Sequence, residues 1–562
     1  MRIKLQSVTL IGLFAFWIFV RLLPMVFYPG LYGFDVWTHL GYTYGIFFTN
    51  QIPPVHIPNY PYYAHPALHI TALLLSTSLG ISIYDSFFLL ATILPIISFI
   101  SSYVFLRTIL PKIWLVQLAL LILALNPDFL AQTNSVIPEA LALVFLFLSL
   151  TIIINTLRTP KLLKRMIIPL IAVILALYLT HHLATLIFTF ACTAIFLGVV
   201  ILRKRDEIMI GIPLIIIPAI ICLTLLLFFD PFVMGLIQKA SIQLLYLVIF
   251  AIFSVVILGI LGPKLLPVLE LISKKIKYKE VLVGFIIVII LFGIWLFYPL
   301  PRSGLWLFIK FLPLAILLGL SGSFTFILFA MKNSFRQLGI SLLIWLAILS
   351  MAFLSFTLLA FLDPSSWVIL TAEVALAHRL FTYMVIVTAP LASLAIWYFL
   401  RKQVLTSVSQ KSQIRKLVSV GVILIIGIAS SAGAWNVYNP VDGWHQTWFS
   451  LSEIQGANWL IYQRGEQSIT ATDGRLQNLF PGFGPLIPTN HDVVIIEPEL
   501  AIFETINNSK TFIFISDILE RRFMLNFATP PFQVLLRPRL DSDPLYVRFY
   551  DCSGVTIYFF QN

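Results

Sequence analysis

Hydrophobic positions along most of this chain do not alternate with polar ones. They run together in blocks of about 20 residues, the length of helix that crosses roughly 30 Å of hydrocarbon. Seven such blocks lie near 7 to 28, 84 to 106, 113 to 131, 136 to 157, 166 to 180, 183 to 202 and 208 to 229. Six more lie near 241 to 262, 281 to 299, 304 to 331, 338 to 362, 380 to 400 and 417 to 436. The pattern predicts a polytopic α-helical membrane protein of about thirteen transmembrane helices. Its first block follows Arg2 and Lys4 and has no small-residue cleavage site, so it reads as a retained span.

From Asn439 the blocks give way to acids, amides and turn residues. Ser452 to Tyr462 has helical periodicity behind an N-capping serine, with Trp459 on its apolar side. β-rich runs follow at 468 to 471, 493 to 496, 511 to 515 and 546 to 560, the last broken by the hairpin signal Asp551-Cys552-Ser553-Gly554. The expected organisation is a transmembrane region over 1–436, with an external first loop over 29–83, and a small external α/β domain over 437–562. Asn507-Asn508-Ser509 in that domain is an N-glycosylation sequon.

Loop charge sets the orientation. Alternate connections beginning with the N-terminus hold 23 Lys and Arg, whereas the opposite set holds only Lys239, Arg302 and Arg379. The positive-inside rule therefore places the N-terminus in the cytoplasm and, after an odd number of spans, 437–562 outside a cell membrane. Acids run the other way: Asp35, Asp85, Asp128, Glu139, Asp230, Asp363 and Glu373 lie at or near the external face. Arg21 and Lys310 fall within spans, and Arg21 is expected to face protein rather than lipid.

Composition agrees with lipid as the main solvent. The chain is 60% hydrophobic and 11% charged, against about 25% charged in soluble domains. A formal charge of +12 does not point to nucleic acid, because the basic residues are spread between apolar blocks rather than gathered on one soluble surface. Cys192, Cys222 and Cys552 are too few and too scattered for a disulfide framework.

The first external loop is dense in rings and free of Lys and Arg between Pro29 and Pro66: Tyr32, Trp37, His39, Tyr42, Tyr44, His56, Tyr60, Tyr62, Tyr63 and His65. Such rings suit sugar faces and also form the ordinary interfacial belt, so the loop is expected to pack on the membrane surface. Its single acid, Asp35, is costly beside apolar spans unless it is solvated, paired or used. A chemical role and a helix N-cap both fit it.

Four segments carry a resemblance. Gly33-Phe34-Asp35-Val36-Trp37-Thr38-His39 resembles the Gly-aromatic-Asp-x-Trp-x-His segment that opens the first external loop of oligosaccharyltransferase catalytic subunits, members of the GT-C superfamily of membrane glycosyltransferases. Tyr63-Ala64-His65-Pro66, with the amphipathic stretch to Gly80 and Asp85 after it, resembles the second loop helix of that family and the acid opening its next span. Ala124-Leu125-Asn126-Pro127 and Pro138-Glu139-Ala140-Leu141 resemble the region of the second acidic motif, and Ala377-His378-Arg379-Leu380-Phe381-Thr382-Tyr383 with Pro390-Leu391-Ala392 resembles an Arg-Phe segment that begins a late span. Two departures matter. Asn439-Pro440-Val441-Asp442-Gly443-Trp444-His445 stands where the family carries its Trp-Trp-Asp-Tyr-Gly peptide-recognition motif, which argues against sequon glycosylation, and the second motif has one acid where the family has two.

The resemblance implies a GT-C-like glycosyltransferase of inverting type, moving a hexosyl or pentosyl unit from a polyprenyl (dolichyl) phosphate-linked donor to a lipid-linked glycan, a surface polymer or a protein on the external face. That chemistry needs a base for the acceptor hydroxyl, cations for the leaving phosphate and an apolar cleft for the lipid tail. Asp35 is the candidate base, and Glu139 is a second catalytic acid or the ordinary acidic residue of a helix first turn. Arg379 is the leading phosphate cation, because it opens a span in a connection poor in basic residues and its planar fork matches phosphate; Arg302 is a weaker one. Trp37, His39, His65, His181 and His182 are candidate substrate contacts. No cofactor is certain; a divalent cation, Mg or Mn, would fall to Asp35 and Glu139, a thin ligand set, so a metal-independent reaction fits equally well. The competing readings are a secondary transporter or flippase, which predicts inverted repeats and mid-membrane charges, and a catalytically silent scaffold of the same fold.

Overall fold

An asparagine-proline pair sets the sharp bend between two of the described helices of this chain. The computed structural model describes residues 5–27, 31–52, 64–202, 211–230, 339–352, 379–397 and 451–463, the five strands of a C-terminal sheet, and a few short stretches between them. The chain divides into two compact units: residues 1–21, 95–133 and 138–436, and residues 22–94, 134–137 and 437–562. Among the described residues seven helices are long and apolar enough to cross a membrane, or eight if one bent pair counts as a single span. The sequence blocks near 241 to 262 (apart from Leu261), 281 to 299 and 417 to 436 lie outside the described residues.

The first unit is built on α1 (Leu5–Phe27, up to Arg21), the C-terminal half of α4 (Ile83–Ile109), α5 (Ile113–Leu125), α6 (Pro127–Asn134, up to Thr133), α7 (Pro138–Arg158), α8 (Leu163–Thr180) and α9 (His182–Ile201). A π turn at Ile212–Ile216 then leads into α10 (Ile217–Phe229), and α11 (Gly339–Ala352) and α12 (Arg379–Trp397) complete it. Branched and aromatic side chains from all of these form one apolar core around Trp17, Phe105, Phe129, Phe147 and Phe188. Trp17 packs edge-on against Phe99 and Phe129, with ring centroids 5.6 and 5.8 Å away, and its Nε1 donates to the Pro95 carbonyl at 3.1 Å. Pro95 lies inside α4 and has no N–H of its own, so the ladder of that helix loses one bond there.

Arg21 is 1% exposed and does face protein. Its guanidinium carbon sits 3.6 Å from the centre of the Trp17 ring, and its Nε donates to Thr133 Oγ1 at 3.0 Å. The aromatic face and the hydroxyl together replace part of the hydration that the cation lost.

The block near 113 to 131 is not one straight span. It breaks at Asn126, where α5 and α6 meet at 73°. Proline at 127 forces the residue before it out of the helical region, and Asn126 has φ −70 and ψ 125. Its Oδ1 then accepts from the backbone N–H of Asp128 and of Phe129, at 3.0 and 3.1 Å, and so caps the new helix.

The second unit holds the first loop. The stretch read as an aromatic loop contains a helix of 16 residues, α2 (Phe34–Thr49), followed by α3 (Ala67–Leu79) packed against it. Gly33 precedes α2 with φ 106, a conformation that side chains resist, and a Cβ there would lie 2.7 Å from Ser135 Oγ. Between α2 and α3, His39 Nδ1 is 3.2 Å from His69 Nε2, with the Tyr42 ring edge-on to His69. Both imidazoles are buried, and burial pushes His69 down to about 3. In the same unit lies a five-stranded sheet of order β2-β1-β3-β5-β4: β1 (Ile469–Thr472) runs parallel to β2 (Val493–Ile495) and to β3 (Thr511–Ser516), and β5 (Val555–Phe560) runs antiparallel to β3 and to β4 (Tyr546–Cys552). Helix α13 (Leu451–Gln463) packs on β4 and β5.

Candidate functional site

Three helix starts in the first unit bring charge and imidazole together. Proline at 138 suits the first helical position, where its missing N–H costs nothing, and it sets Glu139 in the opening turn of α7. Arg379 opens α12, and its Nη1 is 2.6 Å from Glu139 Oε1. The α8–α9 junction is a single extended residue, His181, with φ −163 and ψ 127. His181 Nδ1 accepts from the Ala184 backbone N–H at 3.4 Å and caps α9. An accepting Nδ1 puts the proton on Nε2, and Nε2 lies 3.0 Å from the same Glu139 oxygen.

The site is graded in exposure. The Glu139 and His181 side chains are 5% and 0% exposed, whereas Arg379 keeps 27%. Glu139 is thus a buried partner of Arg379, whose side chain stays partly exposed. A first-turn acid stabilised by the helix dipole alone would need neither partner. The environment of Glu139 suits an anion more than a metal: a divalent ion at Oε1 would face a guanidinium, and hard cations need several oxygen ligands.

His182 stacks on His181 at 4.7 Å with 22° between the rings, and its Nδ1 is 4.0 Å from Oδ2 of the buried Asp230 at the end of α10. The two stacked histidines thus face different acids, His181 from the extended junction and His182 from the first position of α9.

Comparison with solved structures finds an oligosaccharyltransferase of Archaeoglobus fulgidus, solved with an acceptor peptide containing the NVT sequon tethered through a disulfide bond. The match covers 98% of this chain and 74% of that one, with a TM-score of 0.53 and 11% sequence identity. The chain shares the fold of that protein. At that identity the likeness is one of fold, and it fits a mostly helical membrane protein. No family model matches the sequence, and no curated protein does.

On this fold the remaining candidates fall as follows. Asp35 is half-buried in the first turn of α2, two residues after the capping position, which Gly33 occupies. Trp37 is buried on the same helix with its ring 6.2 Å from Tyr84, His39 pairs with His69, and His65 is buried just before α3. These belong to the second unit, and Glu139, His181, His182 and Arg379 to the first. Arg302 lies outside the described residues. Sequence reasoning gave no role to three residues that the structure places beside candidates: His69, Asp230 and Tyr383. Tyr383 was legible, being four residues after Arg379 on one helix face.

Proposed function

We propose that this GT-C-like protein is a glycosyltransferase that takes a sugar from a polyprenyl (dolichyl) phosphate-linked donor and adds it to a lipid-linked glycan, surface polymer or protein acceptor outside the cell. One observation carries the reading: Arg379, partly exposed and pinned to the buried Glu139, presents a guanidinium at a helix start within a fold similar to that of an oligosaccharyltransferase. The full reading has about thirteen spans, a cytoplasmic N-terminus, and residues 437–562 as an α/β domain outside the plasma membrane.

The chemistry is a single displacement with inversion. The acceptor oxygen bonds to the anomeric carbon as the bond from that carbon to the phosphate oxygen breaks, and the electron pair leaves with the lipid phosphate. Arg379 stabilises the phosphate charge, with His182 and Arg302 as further donors. Asp35 takes the acceptor proton, and Trp37, His39 and His65 contact the substrates. Glu139 and His181 hold Arg379 rather than react. A divalent cation bound by Asp35 would assist the phosphate; Glu139, engaged by cationic and N–H groups, is poorly disposed to share it.

Purified protein is to be incubated with a panel of dolichyl-phosphate sugars, and release of lipid phosphate measured. Turnover by the wild type that drops by about 100-fold or more in Asp35→Asn supports the assignment. Equal turnover in both removes Asp35 from the reaction, and no release from any donor defeats the transferase reading.

A further inference from the structure

Tyr383 is 2% exposed, and its hydroxyl makes no hydrogen bond among the described residues. Buried hydroxyls are rarely left so, because the lost hydration goes uncompensated. Glu139 and Arg379 lie close enough for their charges to act on this hydroxyl. One helical turn separates Tyr383 from Arg379 on α12, so the two side chains share a face of that helix. A buried donor thus lies beside an ion pair whose cation is partly exposed.

Binding of a phosphate to Arg379 poses a problem for Glu139. As the guanidinium turns toward an oxyanion, a carboxylate at 5% exposure loses its counter-ion and is stranded without water. His181 Nε2–H, at 3.0 Å, compensates in part. We infer that Tyr383 is a positioning residue whose hydroxyl donates to Glu139 when Arg379 engages a lipid phosphate, so that the cation can change partners. The inference rests on the proposed role of Arg379 in holding the phosphate of the donor. Only hydrogen bonds and an ion pair rearrange: the phenol keeps its proton, and rotation about its C–O bond re-aims it.

The test uses the full-length protein in detergent and dolichyl phosphate as the probe, with affinity read by titration and the tyrosine C–O–H band read by infrared difference spectroscopy. Tyr383→Phe is expected to keep the ligand-free melting temperature within about 2 °C and to bind dolichyl phosphate about 10-fold more weakly. Lipid phosphate should shift a tyrosine band in the wild type that does not shift in Tyr383→Phe. A purely structural role would lower melting without a ligand-dependent band. Unchanged affinity together with an unchanged tyrosine spectrum overturns the inference and leaves the role of Arg379 standing. A wild type that does not bind dolichyl phosphate overturns both. Should Tyr383→Phe fail to fold, the wild-type spectrum decides, since no tyrosine shift on binding is incompatible with the proposal.

Discussion

Arg379 Nη1 lies 2.6 Å from Oε1 of Glu139, so the guanidinium that opens α12 neutralises the carboxylate that opens α7. Neither group alone is at ease where it sits. The carboxylate is almost wholly buried, and a buried charge is tolerated only while it is paired.

The pair can be tested by a mutant cycle on thermal stability. Arg379→Met leaves Glu139 uncompensated and is expected to cost about 3–5 kcal/mol. Adding Glu139→Gln should recover a large part of that loss, because the stranded charge is gone. Melting in detergent of the two single variants and the double variant measures it, and strictly additive losses would mean that the two groups do not interact.

The His39–His69 contact makes a prediction about acid. Burial holds His69 near 3, against an ordinary value near 6.5, so between these pH values the unfolded chain binds a proton that the folded chain refuses. Stability from this group is therefore complete above about pH 6.5 and falls as pH drops toward 3, by about 1.4 kcal/mol per pH unit within the window. Protonating His69 Nε2 also sets an N–H against His39 Nδ1, where an acceptor is needed if Nδ1 carries the proton. Melting curves from pH 4 to 7 should show the slope in the wild type and a shallower one in His69→Gln. Parallel slopes would mean that another group carries the acid sensitivity.

Gly33 sets the entry to α2. Its φ of 106 strains any side chain, and the Cβ of an alanine would lie 2.7 Å from Ser135 Oγ. Gly33→Ala should cost about 1–3 kcal/mol. Gly33→Ala with Ser135→Gly removes the collision and keeps the backbone strain, so partial recovery is expected. Full recovery would show that the collision alone matters, and no recovery that the strain does.

Some of this was legible in the sequence, and the limit follows the range of the interactions. Helices that cross a membrane must satisfy their own backbone in a uniform solvent, so blocks such as Ile83–Ile109 and His182–Ile201 announce themselves by apolar length. The strands at Thr511–Ser516 and Val555–Phe560 fall on runs rich in branched and aromatic residues, which is also a local signal. Helix α2 did not show, because its Gly41, Tyr42, Thr43 and Tyr44 have weak helix preference and packing on α3 overrides it. The kink at Asn126 was written in the Asn-Pro pair but was masked by the apolar run on either side. At the candidate site Arg379 and Glu139 each stood out as an isolated charge near a span end, but their contact joins distant parts of the chain and has no signature in one sequence. The dual role of His181, as cap of α9 and neighbour of Glu139, follows from a junction one residue long that no local pattern specifies.

Arg379→Lys separates the structural duty of the arginine from the chemical one. Lysine keeps the positive charge that Glu139 requires, so melting should fall much less than in Arg379→Met. A compact ammonium lacks the planar fork that spreads over two phosphate oxygens and is more strongly hydrated. Lipid-phosphate release should therefore drop by about 10- to 100-fold, a loss comparable with removing one donor aimed at developing charge. If the lysine variant instead turns over like the wild type, charge alone suffices at this position and guanidinium geometry plays no part in holding the phosphate. If it melts like the methionine variant, the ammonium does not reach Glu139, and the comparison must be repeated in the Glu139→Gln background, where no buried carboxylate is left to strand.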